Sequence, residues 1–171
     1  MSTVNFDMSE LKQFFQQMEN AARGKFKEDF TVWLEAIGFD FLRVVQDEIK
    51  NRKVIDSRLL LDSFTKDDSG NVWRMLDDGL TLEVGTNVNY ANYVEKGHWT
   101  NPQGTAQRFV PGYWEGDRFI YDKNAESGMV LKQKWIEGKH YFESALRIYE
   151  TIFKESTERK LQQWIDNYFT V

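Results

Sequence analysis

Cysteine is missing from the chain altogether, and histidine and proline occur twice each, as His98, His140, Pro102 and Pro111. No Cys means no disulfide, no thiolate-bound metal and no Cys nucleophile. Two His are too few for a His-rich metal centre, so neither a metal nor a cofactor is expected. Long apolar runs are missing too: stretches such as Leu59-Leu60-Leu61 fall far short of the roughly 20 residues that span a bilayer. The opening Met1-Ser-Thr-Val-Asn-Phe-Asp lacks the basic and apolar regions of a secretion signal. A soluble protein of a reducing cytoplasm, with no membrane partner, is expected. Positive charge is in deficit, 22 Lys and Arg against 27 Asp and Glu for a net −5. That balance argues against a general nucleic-acid binder, whose affinity rests on neutralising phosphates.

What is plentiful is apolar and aromatic material. Of 171 residues 41% are hydrophobic, and 26 are aromatic: six Trp, seven Tyr and thirteen Phe. A chain of this length folds as one domain, 1–171, and hides about 70% of its unfolded surface. Leu11, Phe14, Phe15, Met18, Ala21 and Ala22 trace a helical stripe, with Ser9 a plausible N-cap. After Gly24 a stronger stripe runs through Phe26, Phe30, Trp33, Leu34, Ile37, Phe41, Val44, Val45 and Ile49. Its steps of three and four predict a long amphipathic helix. Phe142, Ala145, Leu146, Tyr149, Ile152, Phe153, Leu161, Trp164, Ile165 and Tyr168 predict a C-terminal one.

Between the helices the texture is extended. Leu59 to Thr65 reads as the start of a strand, and Lys66 to Asn71 as a turn. Val72–Leu76 and Leu80–Val84 flank Asp77-Asp78-Gly79, which is a hairpin signal. Tyr90 to Gly97 reads as a short helix stopped by glycine. Residues 98–128 hold both prolines, several glycines and the aromatics Trp99, Phe109, Tyr113, Trp114, Phe119 and Tyr121, with no helical period. They read as a long aromatic-rich loop insertion that orders against a neighbour. Met129 to Trp135 reads as a last strand. The fold expected is α+β, a small, mostly antiparallel sheet packed against a long N-terminal helix and a C-terminal helix.

Motifs that carry chemistry are few. Asp122-Lys-Asn124-Ala-Glu126-Ser-Gly128 begins like a calcium loop, but its Gly stands seventh where the EF-hand turn needs it sixth. A solvated polar loop is expected there. His98 and His140 read as surface or capping residues. Gly85-Thr86-Asn87 has one Gly and no following Gly-Lys-Ser/Thr, and no Gly-x-Ser-x-Gly occurs. Acidic residues are everywhere, so Glu83, Glu95 and Glu115 are nominees for an alternative function, a hydrolase using acidic residues near the aromatic loop. Aromatics also stack on bases, but Arg108, Arg118 and Lys123 stand among Glu115, Asp117, Asp122 and Glu126. Aromatic side chains are enriched in protein interfaces, so the residues alone support a protein-binding α+β domain with no catalytic site.

A family resemblance goes further. Val54-Ile-Asp56-Ser57-Arg-Leu59-Leu-Leu-Asp-Ser63-Phe64, then Leu82-Glu-Val84-Gly85-Thr86-Asn87-Val-Asn-Tyr90-Ala91-Asn-Tyr93-Val94-Glu95-Lys-Gly97, resembles the neck and tail-component proteins of tailed phages. That family carries Pro-x-Asp-Thr-Gly-x-Leu, then a strand leading into Tyr-Ala-x-x-Val-Glu-x-Gly. Its aromatic-Gly element before a C-terminal helix is matched by Trp135-Ile-Glu-Gly138-Lys-His-Tyr-Phe142-Glu-Ser-Ala145. Asp56-Ser57-Arg58 replaces Asp-Thr-Gly, and the 98–128 stretch is longer than a minimal member needs. The chain looks most like members from prophages and PBSX-type phage-like particles. The resemblance implies a non-enzymatic virion protein at the head–tail junction, a homo-oligomeric ring, hexameric by analogy with tail symmetry. Such a ring completes or terminates the tail, joins it to the capsid connector and meets adjacent neck and tail proteins. DNA passes through without specific binding. Tyr90, Tyr93, Glu95 and Gly97 are expected to build the turn from which the loop departs. Trp99, Phe109, Tyr113 and Trp114 are the expected contact residues.

Overall fold

The structure, a computed structural model, describes residues 2–8, 25–54, 58–76 and 79–169. In chain order its elements are β1 (Ser2–Asp7), α1 (Lys25–Asn51), α2 (Leu59–Asp62), β2 (Asn71–Met75), β3 (Thr81–Thr86) and α3 (Ala91–Lys96). Then follow β4 (Gly97–Trp99), β5 (Gln107–Glu115), β6 (Arg118–Tyr121), β7 (Gly128–Lys132), β8 (Trp135–Glu137) and α4 (Tyr141–Phe169). This is the α+β class. The chain divides into two compact units, Met1–Glu95 with His140–Val171, and Lys96–Lys139. The expected helix around Leu11–Ala22, its Ser9 cap, and Asp56-Ser57 and Asp77-Asp78 lie outside the described residues.

In the first unit the long stripe becomes one buried face of α1. Phe30, Leu34, Ile37, Phe41, Val45 and Ile49 are all buried. Each contributes about 2 kcal/mol of transfer free energy before chain entropy is counted. The partner surface comes from α4, which runs antiparallel to α1. Phe30 meets Trp164 with ring centroids 5.2 Å apart, while Phe41 meets Tyr149 at 5.4 Å and Phe142 at 5.6 Å. Two polar ties fix the register: Trp33 Nε1–H donates to Ser156 Oγ at 3.2 Å, and the Tyr149 hydroxyl donates to the Ile37 carbonyl at 2.6 Å.

The sheet order is β1-β3-β2, all antiparallel. Central β3 buries Leu82, Val84 and Thr86 and leaves Thr81 and Glu83 half-buried, as a period of two requires. β2 and β3 pair antiparallel on either side of the segment where the hairpin turn is expected. Gly38 lets α1 approach this sheet: a Cβ there would stand 2.5 Å from Leu82 Cδ2 and 2.7 Å from the Trp73 ring. Replacing Gly38 by Ala is therefore expected to cost about 1–3 kcal/mol through overpacking, despite alanine's better helix propensity. Urea unfolding at constant m-value measures it.

Two expectations are corrected. Leu59–Thr65 does not begin a strand; Leu59–Asp62 is a helical turn with Leu60 and Leu61 both buried and Leu59 exposed. Adjacent residues of a strand point to opposite faces, so burying this neighbouring pair with Phe64 favours the helical spacing. Nor is 98–128 a loop. Within the second unit, β6-β5-β7 form a three-stranded antiparallel sheet and β4-β8 a two-stranded one. Pro111 and Gly112 misled because they mark a change of partner. β5 pairs with β7 from Gln107 to Pro111 and with β6 from Gly112 to Glu115. Proline has no N–H to give a ladder, and Gly112 (φ 152) admits Ile120 O to 2.2 Å of where a Cβ would stand.

Candidate functional site

The best-defined polar site of the first unit lies where α3 ends and α4 begins. Glu95 is buried, and its carboxylate faces the first turn of α4. Oε2 accepts the Phe142 N–H at 2.9 Å and Oε1 the Glu143 N–H at 3.0 Å. The Glu95 carbonyl accepts the His140 N–H at 3.0 Å. A helix leaves its first N–H groups without internal partners, and a local Ser, Asp or Asn normally supplies the cap. Here the cap comes from 47 residues upstream, and its negative charge also suits the positive end of the helix dipole.

Around this cap the charged groups are mutually engaged. Glu95, His140 and Glu143 bring three ligand-type atoms within 4.8 Å of one another. Yet Glu95 holds two main-chain donors, and Glu143 takes Arg147 and lies 3.4 Å from His140 Nδ1. Capping engages Glu95, and side-chain contacts engage His140 and Glu143. Next to it is a cleft of about 380 Å³ lined by Arg52, His140, Glu143, Ser144 and Arg147. Arg52 there pairs with Glu48 at 2.9 Å. The Ser144 hydroxyl and then Arg52 hold the Glu48 carboxyl below its ordinary range, against the opposing effect of burial.

Burial, with the Glu95 charge and Tyr90 as smaller contributions, pushes the Tyr141 phenol far above its ordinary value; burial does the same for Tyr149, helped by Asp40. A raised folded pKa on a group that is neutral when protonated leaves stability intact below the unfolded value. That stability is lost as pH climbs past it. Stability is thus expected to hold to about pH 9 and to fall above about pH 10. The Tyr141 hydroxyl has no hydrogen-bond partner among the described residues. Tyr141→Phe should accordingly cost little at pH 7 and blunt the alkaline loss, as a pH series of thermal melts would show.

The remaining motif positions are also structural. Thr86 Oγ1 lies 2.8 Å from Ser63 Oγ, donates to the Gly70 carbonyl at 3.2 Å and accepts the Val88 N–H at 3.1 Å. Asn71 Nδ2 donates to the Ser63 carbonyl at 2.8 Å. This buried network ties α2, β2, β3 and the approach to α3 together. Tyr90 is half-buried against the core, whereas Tyr93 is exposed.

In the second unit Gly97 opens β4 with φ +82; a Cβ there would meet Ile136 O at 2.5 Å and Gly138 N at 2.8 Å. Trp99 pairs across the ladder with Trp135, rings 5.4 Å apart, and is exposed. Phe109 pairs with Val130, Tyr113 with Ile120 and Trp114 with Phe119, the last two rings 5.3 Å apart. Phe109, Tyr113 and Trp114 are all exposed.

Residues 12–97 match the family model described as "Bacteriophage HK97-gp10, putative tail-component". The chain belongs to this HK97 gp10-like family. It is 46% identical over 162 residues to "Uncharacterized protein YqbI" of Bacillus subtilis (strain 168), covering 93% of this chain and 97% of that one. It is also 46% identical over 155 residues to "Phage-like element PBSX protein XkdI" of the same organism, covering 91% and 95%. No solved structure matches significantly. The resemblance to tailed-phage tail components is thereby established.

For an HK97 gp10-like protein the nominated acids carry structural duties. Glu83 is bound by the Arg74 guanidinium across the β2–β3 ladder, Glu95 caps α4, and Glu115 stands opposite Arg118 in the β5–β6 pair. The Glu95 carboxylate is buried and both of its oxygens accept main-chain N–H groups. No described helix is long and apolar enough to cross a membrane. Val130 and Ile136 are exposed apolar positions that sequence reasoning missed as surface candidates. Glu115-Gly116-Asp117 between two aromatic runs was the available hairpin signal, and Gly116 has φ +60.

Proposed function

We propose that the chain is a structural, non-enzymatic subunit of the neck of a phage-like particle. Copies close into a ring, six-fold in keeping with tail symmetry, that completes or terminates the tail and joins it to the capsid connector. The observation that carries this reading is the near full-length similarity to a protein named for the phage-like element PBSX. The exposed aromatics of residues 96–139 fit a surface made to be covered. A closed ring needs one heterologous contact repeated around its axis. The net charge of −5 suits a channel that lets DNA pass without holding it. The neighbours of the ring are adjacent neck and tail proteins, and its place is in the virion, assembled in the host cytoplasm.

Removing the chain from the producing element should leave heads and tails that accumulate unjoined, with joined particles reduced at least about tenfold. Resupplying it should restore them. Normal numbers of joined particles in its absence would overturn the reading.

A further inference from the structure

The unit Lys96–Lys139 has 44 residues, and 15 of them are Ala, Val, Ile, Leu, Met, Phe, Trp or Tyr. None of the 15 is buried; the buried positions of this unit are Asn101 and Gly112 alone. Among the described residues, all 21 buried hydrophobic side chains belong to the other unit. Asn101 adds a cost of its own. Its Nδ2 donates to the Leu131 carbonyl at 3.0 Å, but its buried Oδ1 has no hydrogen-bond partner among the described residues. A buried acceptor without a partner has given up its hydration for no return. The chain has no Cys, and segments of about 40 residues usually need a disulfide, a metal or a partner to hold a fold alone.

Backbone pairing is what holds this unit. The Thr100 N–H donates to the Lys134 carbonyl at 2.9 Å and the Gln133 N–H to the Ala106 carbonyl at 2.8 Å. These bonds join the β4–β8 pair to the β5–β7 pair, so the two small sheets form one continuous ladder. Each such bond contributes little net stability where water can replace it. In the helix–sheet unit, the His140 N–H donates to the Glu95 carbonyl at 3.0 Å. The chain therefore leaves that unit and returns to it at adjacent points. Closing the ladder between fixed ends costs less loop entropy than closing it from a free chain.

We propose that residues 96–139 are a conformational switch in the free chain. The ladder opens and recloses as one unit, far more often than the helix–sheet unit unfolds. Local stability of this kind follows from few buried apolar contacts. The aromatics of the strands stand in register only in the closed state. A ligand of that arrangement would draw the equilibrium towards closure, and its apparent affinity would fall with the fraction of chains open. The switch belongs to the free chain and does not rest on the ring reading.

Native-state hydrogen exchange on the full-length chain, kept dilute enough to be monomeric, tests this. The Thr100, Gly112, Asp122 and Gln133 amides all bond across the ladder. They should share one opening equilibrium and exchange at least about a hundredfold faster than the most protected α1 and α4 amides. Gly97→Ala should speed exchange at these four by about a hundredfold, or to the unprotected limit, and leave α1 and α4 within about twofold. Exchange of the four only in step with α1 and α4, as in one global unfolding, would overturn the switch. So would four unrelated opening equilibria, since the ladder would then not act as a unit. Wild-type amides with no protection at all would overturn it too, because no closed state would exist.

Discussion

Replacing Gly97 by Ala should destabilise the 96–139 unit by about 3 kcal/mol or more. Two costs add. The left-handed φ of +82 penalises any L side chain by about 1–2 kcal/mol. The new methyl would also press on backbone, Ile136 O at 2.5 Å and Gly138 N at 2.8 Å, and backbone yields less readily than a flexible side chain. Gly97 pairs with Glu137, so the damage falls on the β4–β8 ladder that closes this unit. Limited proteolysis should show faster cleavage within 96–139, and circular dichroism a largely preserved α1–α4 pair. Wild-type protease resistance in Gly97→Ala would refute the packing described for β4.

Glu95→Ala should lower stability by about 3 kcal/mol, since it strands one buried and one part-buried main-chain donor at about 1–3 kcal/mol each. For a chain of this size that is about 6–12 °C in melting temperature. Glu95→Gln keeps one acceptor oxygen and should lose about half as much. The pair separates capping from other roles: equal losses in both variants would mean that charge alone matters, and no loss in either would mean that α4 is capped some other way. Together the two positions give a physical reason for the Val-Glu-x-Gly signature. Its Glu fastens the C-terminal helix, and its Gly starts the second unit without a collision.

Much of the fold was legible because burial imposes periods on sequence. The α1 stripe, the α4 stripe and the alternation of Leu82 and Val84 in β3 are such imprints. Leu59–Asp62 was misread because a single turn is too short to show a period, and a run of leucines satisfies strand and helix alike. Residues 98–128 were misread for a different reason. Pro111 and Gly112 normally break strands, but here they sit where β5 leaves β7 for β6, a tertiary event with no local signature. The site was legible in part. Tyr90, Tyr93, Glu95 and Gly97 were singled out as a group around a turn, while the capping role of Glu95 depends on a partner 47 residues away. Trp99, Phe109, Tyr113 and Trp114, all exposed, were singled out by their lack of helical period. Their assignment to opposite faces of the ribbon needed the ladder register, which places Tyr113 and Trp114 back to back.

A neck subunit has a fixed place in the particle. Imaging purified phage-like particles that carry a gold-labelled copy of the chain should place the label at the neck, between head and tail. Label spread along the tail, bound at its far tip, or absent from particles while the protein stays free in the lysate would contradict it.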